Sequence, residues 1–290
     1  MIRLGKTKFN HYISKVFLKS WLRPNDKKGK ETLLCFLINE QRLRADVGRS
    51  VAFAGESFLY SFIAAGELDD SFESYLKDGE DAWGLFLSEL VNGKVFQKIE
   101  NLNLCLFMLV SFAYRTKINF KLYEKMFKIS SPDLETVEIK NIALDMITED
   151  IEYRTDELLR RKMLLIEYDS DLLFTCEKPL FDLKFSKFKR DEIFCAITPR
   201  HLLYISQEIT NHPELAVSKT DNAKIATLWN SFVLEMSRDW VVATNCAENE
   251  EALKSNLTLD KVNARKQTDR VILNLDGEEH IVLLADIEDN

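Results

Sequence analysis

Asn10–Arg23 reads NHYISKVFLKSWLR, and its apolar residues Ile13, Val16, Phe17 and Trp21, with Leu18 and Leu22 on a flanking line, recur at helical spacing. Asn10 is a good N-cap, and Lys15, Lys19 and Arg23 fall outside the apolar stripe, so the stretch predicts an amphipathic helix with a basic face. Pro24-Asn25-Asp26, followed by Lys27, Lys28 and Gly29, ends it in an exposed turn. On this reading His11 and Tyr12 stand in the first helical turn, where unpaired backbone N–H groups and the helix dipole favour an anion. An imidazole there is placed to donate to a phosphate or to act as an acid or base, although a histidine without an identified partner more often caps or packs.

Outward from this stretch, Thr32–Ile38 (TLLCFLI) and a run around Leu43–Phe53 predict a β-hairpin turned at Asn39-Glu40-Gln41, its first strand buried on both faces. Gly55-Glu56-Ser57 then opens an aromatic stretch, Phe58, Tyr60 and Phe62, with Glu56 either a site carboxylate at a strand end or an exposed turn residue. From Asp69 to about Lys128 the pattern is helical: Phe72, Tyr75, Leu76, Trp83, Phe86, Leu87 and Leu90 keep the rhythm, broken near Gly79 and stopped at Asn92-Gly93. Glu100–Arg115 is apolar nearly all round and belongs at the centre of a bundle. Arg115 either satisfies the last carbonyls of that helix or reaches a ligand anion beside His11. Ser131-Pro132-Asp133-Leu134-Glu135 predicts a further helix start, with serine as cap; the helix runs to about Arg161 with a break near Tyr153, and its charged faces read as solvated surface.

The next part is rich in strands. Met163–Tyr168 and Leu172–Cys176 flank Asp169-Ser170-Asp171 as a hairpin, and Ile193–Ile197 and Leu202–Ile205 flank Thr198-Pro199-Arg200, with a basic, aromatic Phe181–Arg190 between the pairs. Cys176 would be a nucleophile only beside a base, for which His201 is the candidate; a buried structural cysteine is the commoner case. Asp169 or Asp171 ahead of Asp182-Leu183-Lys184 resembles the acidic residue and D/E-x-K pair of metal nucleases, in which carboxylates hold a divalent metal such as Mg²⁺. So short a motif also arises by chance in a chain with 30% charged residues. A last long helix is expected over about Ala223–Asn245, with Asn230 and Arg238 as polar ends facing a cavity, and Arg270–Leu275 and His280–Leu284 form a hairpin around Asp276-Gly277.

His11-Tyr12-Ile13, followed by Phe17-Leu18-Lys19 and Trp21, resembles the opening H-Y-[VI]-P signature of the bacterial domain-of-unknown-function family numbered 4238, with Ser14 where that family usually has proline. Asp81-Ala82-Trp83 with Leu87 and Leu90 is similar to its acidic second helix, and Tyr114-Arg115-Thr116 to its helix closing on arginine. Phe174-Thr175-Cys176-Glu177-Lys178-Pro179 stands in the place of its T-S-D-N-P turn, and Ile197-Thr198-Pro199-Arg200-His201-Leu202-Leu203 in that of its PLSPR segment. The similarity covers about Lys8 to Ala243, and Cys176, Glu177 and Lys178 replace the serine, aspartate and asparagine. The resemblance implies a fold and no established activity.

At 290 residues and 46% hydrophobic content, with 9 glycines and 5 prolines, the chain is expected to be globular. The expected class is α+β, a predominantly helical domain with short antiparallel hairpins packed on the helical core. Residues 1–247 are expected to form this domain and residues 248–290 an acidic extension. The net charge of −8 hides a polarity: residues 1–50 hold 12 Lys and Arg against 4 Asp and Glu, and residues 51–100 hold 3 against 10. Such a basic head either faces a phosphate or nucleic acid or docks on the acidic body.

Nothing resembles a signal peptide or a membrane span, and the five cysteines lack C-x-x-C spacing, so a reducing cytoplasm is expected. There is no P-loop, dinucleotide fingerprint, H-E-x-x-H or G-x-S-x-G motif. Two readings of function follow. In one, His11, Tyr12, Arg115 and the turn bearing Glu177 converge on a pocket that binds or hydrolyses a phosphate-bearing ligand, a nucleotide or nucleic acid. In the other, these residues are structural and the chain is a protein-interaction or regulatory module, bacterial defence being one setting.

Overall fold

The computed structural model describes residues 9–11, 13–25, 30–47, 54–57, 62–64, 67–69, 71–91, 99–184, 191–210, 215–266, 270–275 and 278–283. Tyr12, the Lys27–Gly29 turn, Phe58, Tyr60, Asn92-Gly93, residues 185–190 and Asp276-Gly277, which carry expectations above, lie outside these.

The opening stretch is not one helix. Phe9–His11 forms β1, paired antiparallel with β5 (Gly55–Ser57) so that Asn10 stands opposite Glu56 and His11 opposite Gly55. A single helical turn, α1 (Lys15–Leu18), and a 3₁₀ turn, Lys19–Trp21, follow, and then β2 (Arg23–Asn25). Two local causes set these limits. The Ser14 hydroxyl accepts the Val16 N–H at 3.2 Å and caps the helix there, while Pro24 holds Arg23 in extended backbone. The helical spacing misleads because Ile13, Phe17, Leu18 and Trp21 are all fully buried, so the segment has core on several sides. Phe17 alone stacks within 5.0–5.9 Å of Trp21, Trp83 and Phe112.

The hairpin expected next is present as β3 (Lys30–Leu37) and β4 (Arg42–Val47). Gln41 closes its turn with a φ of 46°, and its side-chain amide donates to Ile38 and Leu257 carbonyls at 2.8 and 3.0 Å. A small hairpin, β6 (Phe62–Ala64) and β7 (Glu67–Asp69), leads into four helices: α2 (Ser71–Val91), α3 (Ile99–Tyr114), α4 (Lys117–Ser130) and α5 (Thr136–Leu159). As its composition predicts, α3 lies centrally, against both α2 and α5.

Three details of this bundle differ from expectation. The α2 helix runs unbroken through Gly79, which is buried because α3 approaches it: a Cβ there would sit 3.1 Å from Phe107 Cδ1 and 3.3 Å from Met108 Sδ. Ser131 closes α4, and Glu135 caps α5 in a reciprocal capping box with Glu138. Tyr153 interrupts the apolar rhythm only because it faces solvent, 73% exposed, and α5 continues through it.

The remaining chain supplies β8 (Arg161–Tyr168), β9 (Thr175–Cys176), β10 (Leu180–Lys184), β11 (Asp191–Thr198), β12 (His201–Ile209), β13 (Leu215–Thr220), α6 (Lys224–Met236) and β14 (Trp240–Thr244). One five-stranded sheet has the order β10-β11-β12-β8-β13, with β13 parallel to β8 and the other pairs antiparallel; β11 and β12 are the expected hairpin. The other has the order β2-β3-β14-β9, with β4 on the far edge of β3. The fold is therefore α+β, its strands gathered into sheets more than the hairpin reading implied.

Two expectations fail here. The long helix over Ala223–Asn245 is α6 followed by β14, since Trp240–Ala243 is apolar on both faces and lies buried between β3 and β9. Such a short apolar run carries no period that separates strand from helix. Leu172–Cys176 also does not pair with β8: the Leu172 and Leu173 N–H groups both go to the Pro199 carbonyl at 2.9 Å, and β9 joins β14. Beyond β14 come α7 (Ala247–Asn256), α8 (Leu259–Lys266) and the expected hairpin, β15 (Arg270–Leu275) and β16 (Glu278–Leu283). Leu253, Leu257 and Val262 are buried in the same core as the helices and sheets. Among the described residues no helix is long and apolar enough to cross a membrane.

Candidate functional site

The segment between β8 and β10 is held from every side. Arg23 grips Asp171 with Nε and Nη2, the latter at 2.9 Å, and Arg200 Nε donates to the same carboxylate at 2.8 Å. The Trp21 indole donates to the Leu173 carbonyl at 3.2 Å and the Trp229 indole to that of Phe174 at 2.9 Å. Asn230 accepts from the Phe174 N–H at 2.9 Å and donates to the Leu172 carbonyl at 2.7 Å, so the polar residue expected to face a cavity instead staples an irregular strand. Burial alone would raise the Asp171 carboxyl, but the hydrogen bonds and charges of Arg23 and Arg200 outweigh it and hold the group below the ordinary carboxylate range. A carboxylate committed to two guanidinium groups is poorly placed to bind a metal. Among the described residues no three His, Cys, Asp or Glu side chains form a metal-sized cluster.

The neighbouring turn carries Cys176 and Glu177. Cys176 is fully buried, and its thiol donates to the Lys178 carbonyl at 3.4 Å. Burial and then the Glu177 charge push it well above the ordinary thiol range, so it is a protonated thiol rather than a thiolate nucleophile. Its expected base, His201, is also buried, with Nδ1 at 2.7 Å from Thr198 Oγ1, and burial lowers its pKa. The Glu177 carboxylate, 8% exposed, accepts the Arg238 N–H at 2.7 Å and that of Trp240 at 3.4 Å. Burial and the nearby Asp239 raise its carboxyl to about 8, against the opposing effect of those backbone bonds.

The helix mouth proposed for His11 is absent, because the His11 backbone is a strand paired with β5, while Glu177 follows β9 in a different sheet. Arg115 directly follows α3 and is 1% exposed. Its guanidinium carbon lies 4.9 Å over the Phe112 ring and Nη2 is 3.9 Å from Glu80 Oε1. It lies inside the aromatic cluster that seats Phe17, at the negative end of α3, instead of projecting toward solvent. The four residues singled out from sequence are thus not shown as one constellation.

A cleft that the sequence reading passed over lies between three helices. Tyr75, Asp78 and Gly79 of α2, Asn103, Leu104 and Phe107 of α3, and Glu152, Thr155 and Asp156 of α5 enclose about 370 Å³. Each trio falls within one helical turn, the only trace of the cleft in the sequence. Tyr75 donates to Glu152 Oε1 at 2.8 Å and meets Phe107 edge to face at 5.0 Å. Among the described residues no lysine or arginine pairs with Asp78, Glu152 or Asp156.

A family model described as a protein of unknown function, DUF4238, matches residues 10–246. The chain belongs to that family. No curated protein and no solved structure matches it.

Within the DUF4238 span, motifs far apart in sequence meet in space. Trp21 from the first, with Arg23 two residues beyond it, and Pro199-Arg200 from the last close on residues 171–173, just ahead of the turn motif that begins at Phe174, and the hydrogen bonds described above join them. The cleft lies inside the same span and uses none of those residues. Beyond the match, α7 still packs on β3 and β14.

Proposed function

We propose that this DUF4238 chain is a non-catalytic binding module whose α2–α3–α5 cleft accepts a lysine- or arginine-bearing segment of a partner protein. The observation that carries this reading is the lining of the cleft: three carboxylates with which no lysine or arginine pairs among the described residues, and an aromatic wall of Tyr75 and Phe107. Carboxylates with an aromatic face suit an ammonium or guanidinium group, which gains charge pairing and cation–π contact together. The same lining repels phosphate. The engagement of Asp171, Cys176 and Glu177 in the hydrogen bonds of the fold supports a binding role over a catalytic one.

The test is titration of the whole chain with a synthetic arginine-rich peptide and, separately, with ATP and a short RNA. The peptide should bind, with affinity falling as salt rises, and Asp78→Asn with Asp156→Asn together should weaken it about 10-fold or more, two charged contacts being lost. That pair leaves the Tyr75–Glu152 bond in place. Binding or hydrolysis of ATP or RNA that survives the double change and disappears in His11→Ala would overturn the reading in favour of a phosphate site.

A further inference from the structure

The sheet that contains β8 ends at β13, whose far side pairs with no strand among the described residues. Every residue from Leu215 to Thr220 is at least partly exposed, so both faces of this strand are accessible along its length. The other edges of the two large sheets carry features that discourage a further strand: Pro24 in β2, Arg42, Arg44 and Asp46 in β4, Asp182 and Lys184 in β10, and a length of only two residues in β9. β13 has a single charge, Lys219, and Glu167 of β8 meets it at 3.3 Å. Val217 also ends a cross-strand row, Cys195-Leu203-Leu165-Val217, that the strand registers define. The first three are buried and Val217 is 36% exposed, so an apolar layer of the sheet runs out to its last strand and stops there uncovered.

We propose that β13 is the contact strand of a homodimer, in which two copies of the chain join their five-stranded sheets into one continuous sheet. The backbone of an edge strand presents N–H and C=O groups that only another extended backbone meets in register. A second copy suits this edge because the strand is its own complement. A two-fold axis perpendicular to the sheet runs β13 antiparallel to its copy and keeps each face of the sheet on its own side. Centred on Val217, that axis sets Val217 against Val217, Ala216 against Ser218 and Leu215 against Lys219, with no like charges opposed. The two rows that end at Val217 then fuse through the paired valines, which cover each other. The ladder is short, so the dimer is weak, with a Kd on the order of 10 µM. This inference is independent of the cleft, which no strand of this sheet lines.

The experiment is sedimentation equilibrium of the full chain well below and well above that concentration, where a reversible monomer–dimer equilibrium should be read. Val217→Lys opposes two ammonium groups on the axis and should weaken the dimer about 10-fold or more, with the melting temperature of the dilute chain unchanged because the position is exposed. In a Cys246→Ser background, which removes the exposed native thiol, Val217→Cys should give a disulfide-linked dimer under mild oxidation and Ala216→Cys should not. A chain that stays monomeric at every concentration overturns the proposal and leaves the edge to a strand from another protein. A dimer that Val217→Lys leaves intact, or that Val217→Cys fails to link, overturns it in favour of a different contact surface.

Discussion

Two carboxyl groups a few residues apart respond to burial in opposite ways, and their partners decide the outcome. Asp171 has two arginines, so its folded-state pKa is depressed; the stability it contributes is present above the ordinary carboxylate range and is lost as pH falls through the folded value. Glu177 has backbone amides and a second carboxylate, so its folded-state pKa is raised, and the stability linked to it is present at low pH and is lost as pH rises from 4.5 toward about 8. Asp171→Asn should therefore cost about 2 kcal/mol at neutral pH, with partial exposure of the arginines discounted, and should flatten the acid limb of a urea-melt series against pH. A wild-type acid limb retained in that variant would show that the two arginines do not control the group. Asn230→Ala, which leaves the Phe174 N–H and the Leu172 carbonyl without their side-chain partner, should cost about 2–4 kcal/mol in the same assay. Neither cost was legible in the sequence, because Asn230 and Asp171 act on partners that only tertiary structure brings near.

Where an element had a long period or a sharp turn, its sequence announced it. The β3–β4, β11–β12 and β15–β16 hairpins and the helices from α2 to α5 follow from alternation, turn residues and apolar rhythm. Elements of a few residues did not. The α1 turn, the switch from α6 to β14 and the transfer of β9 to a different sheet are each set by a cap, a proline or a partner elsewhere in the chain. Of the candidate site, Arg115, Cys176 and Glu177 could be picked out as unusual residues and a buried Cys176 was the commoner reading, yet the burial of Arg115 and Glu177 was not legible, and Glu152 of the cleft looked like ordinary helix surface. Gly79 shows how local preference and packing compete: Gly79→Ala gains about 1 kcal/mol of helix propensity but places a methyl 3.1 Å from the Phe107 ring. Overpacking costs of about 1–3 kcal/mol make the net change destabilising by about 1 kcal/mol, measurable by urea melts. A gain in stability would mean that α3 can yield at this crossing.

The family match ends at residue 246, but the core does not. Leu253, Leu257 and Val262 are buried with it, and Gln41 reaches the Leu257 carbonyl from the β3–β4 turn. Ending the chain at Cys246 should thus remove about 5 kcal/mol or more of apolar burial, three side chains at about 1.5–3 kcal/mol each, and lower the melting temperature sharply. A truncated chain that melts with the full one would show the last helices to be an appendage. The central strand has a consequence for biosynthesis. β3 emerges early, with Leu33–Leu37 buried in the finished sheet, but its neighbour β14, in register from Trp240 opposite Leu37 to Thr244 opposite Leu33, is translated about two hundred residues later. At about 5–20 residues per second, the ribosome leaves that greasy ribbon with an open edge for about ten seconds or more. Over that interval a chaperone, or another nascent chain, has first access to it.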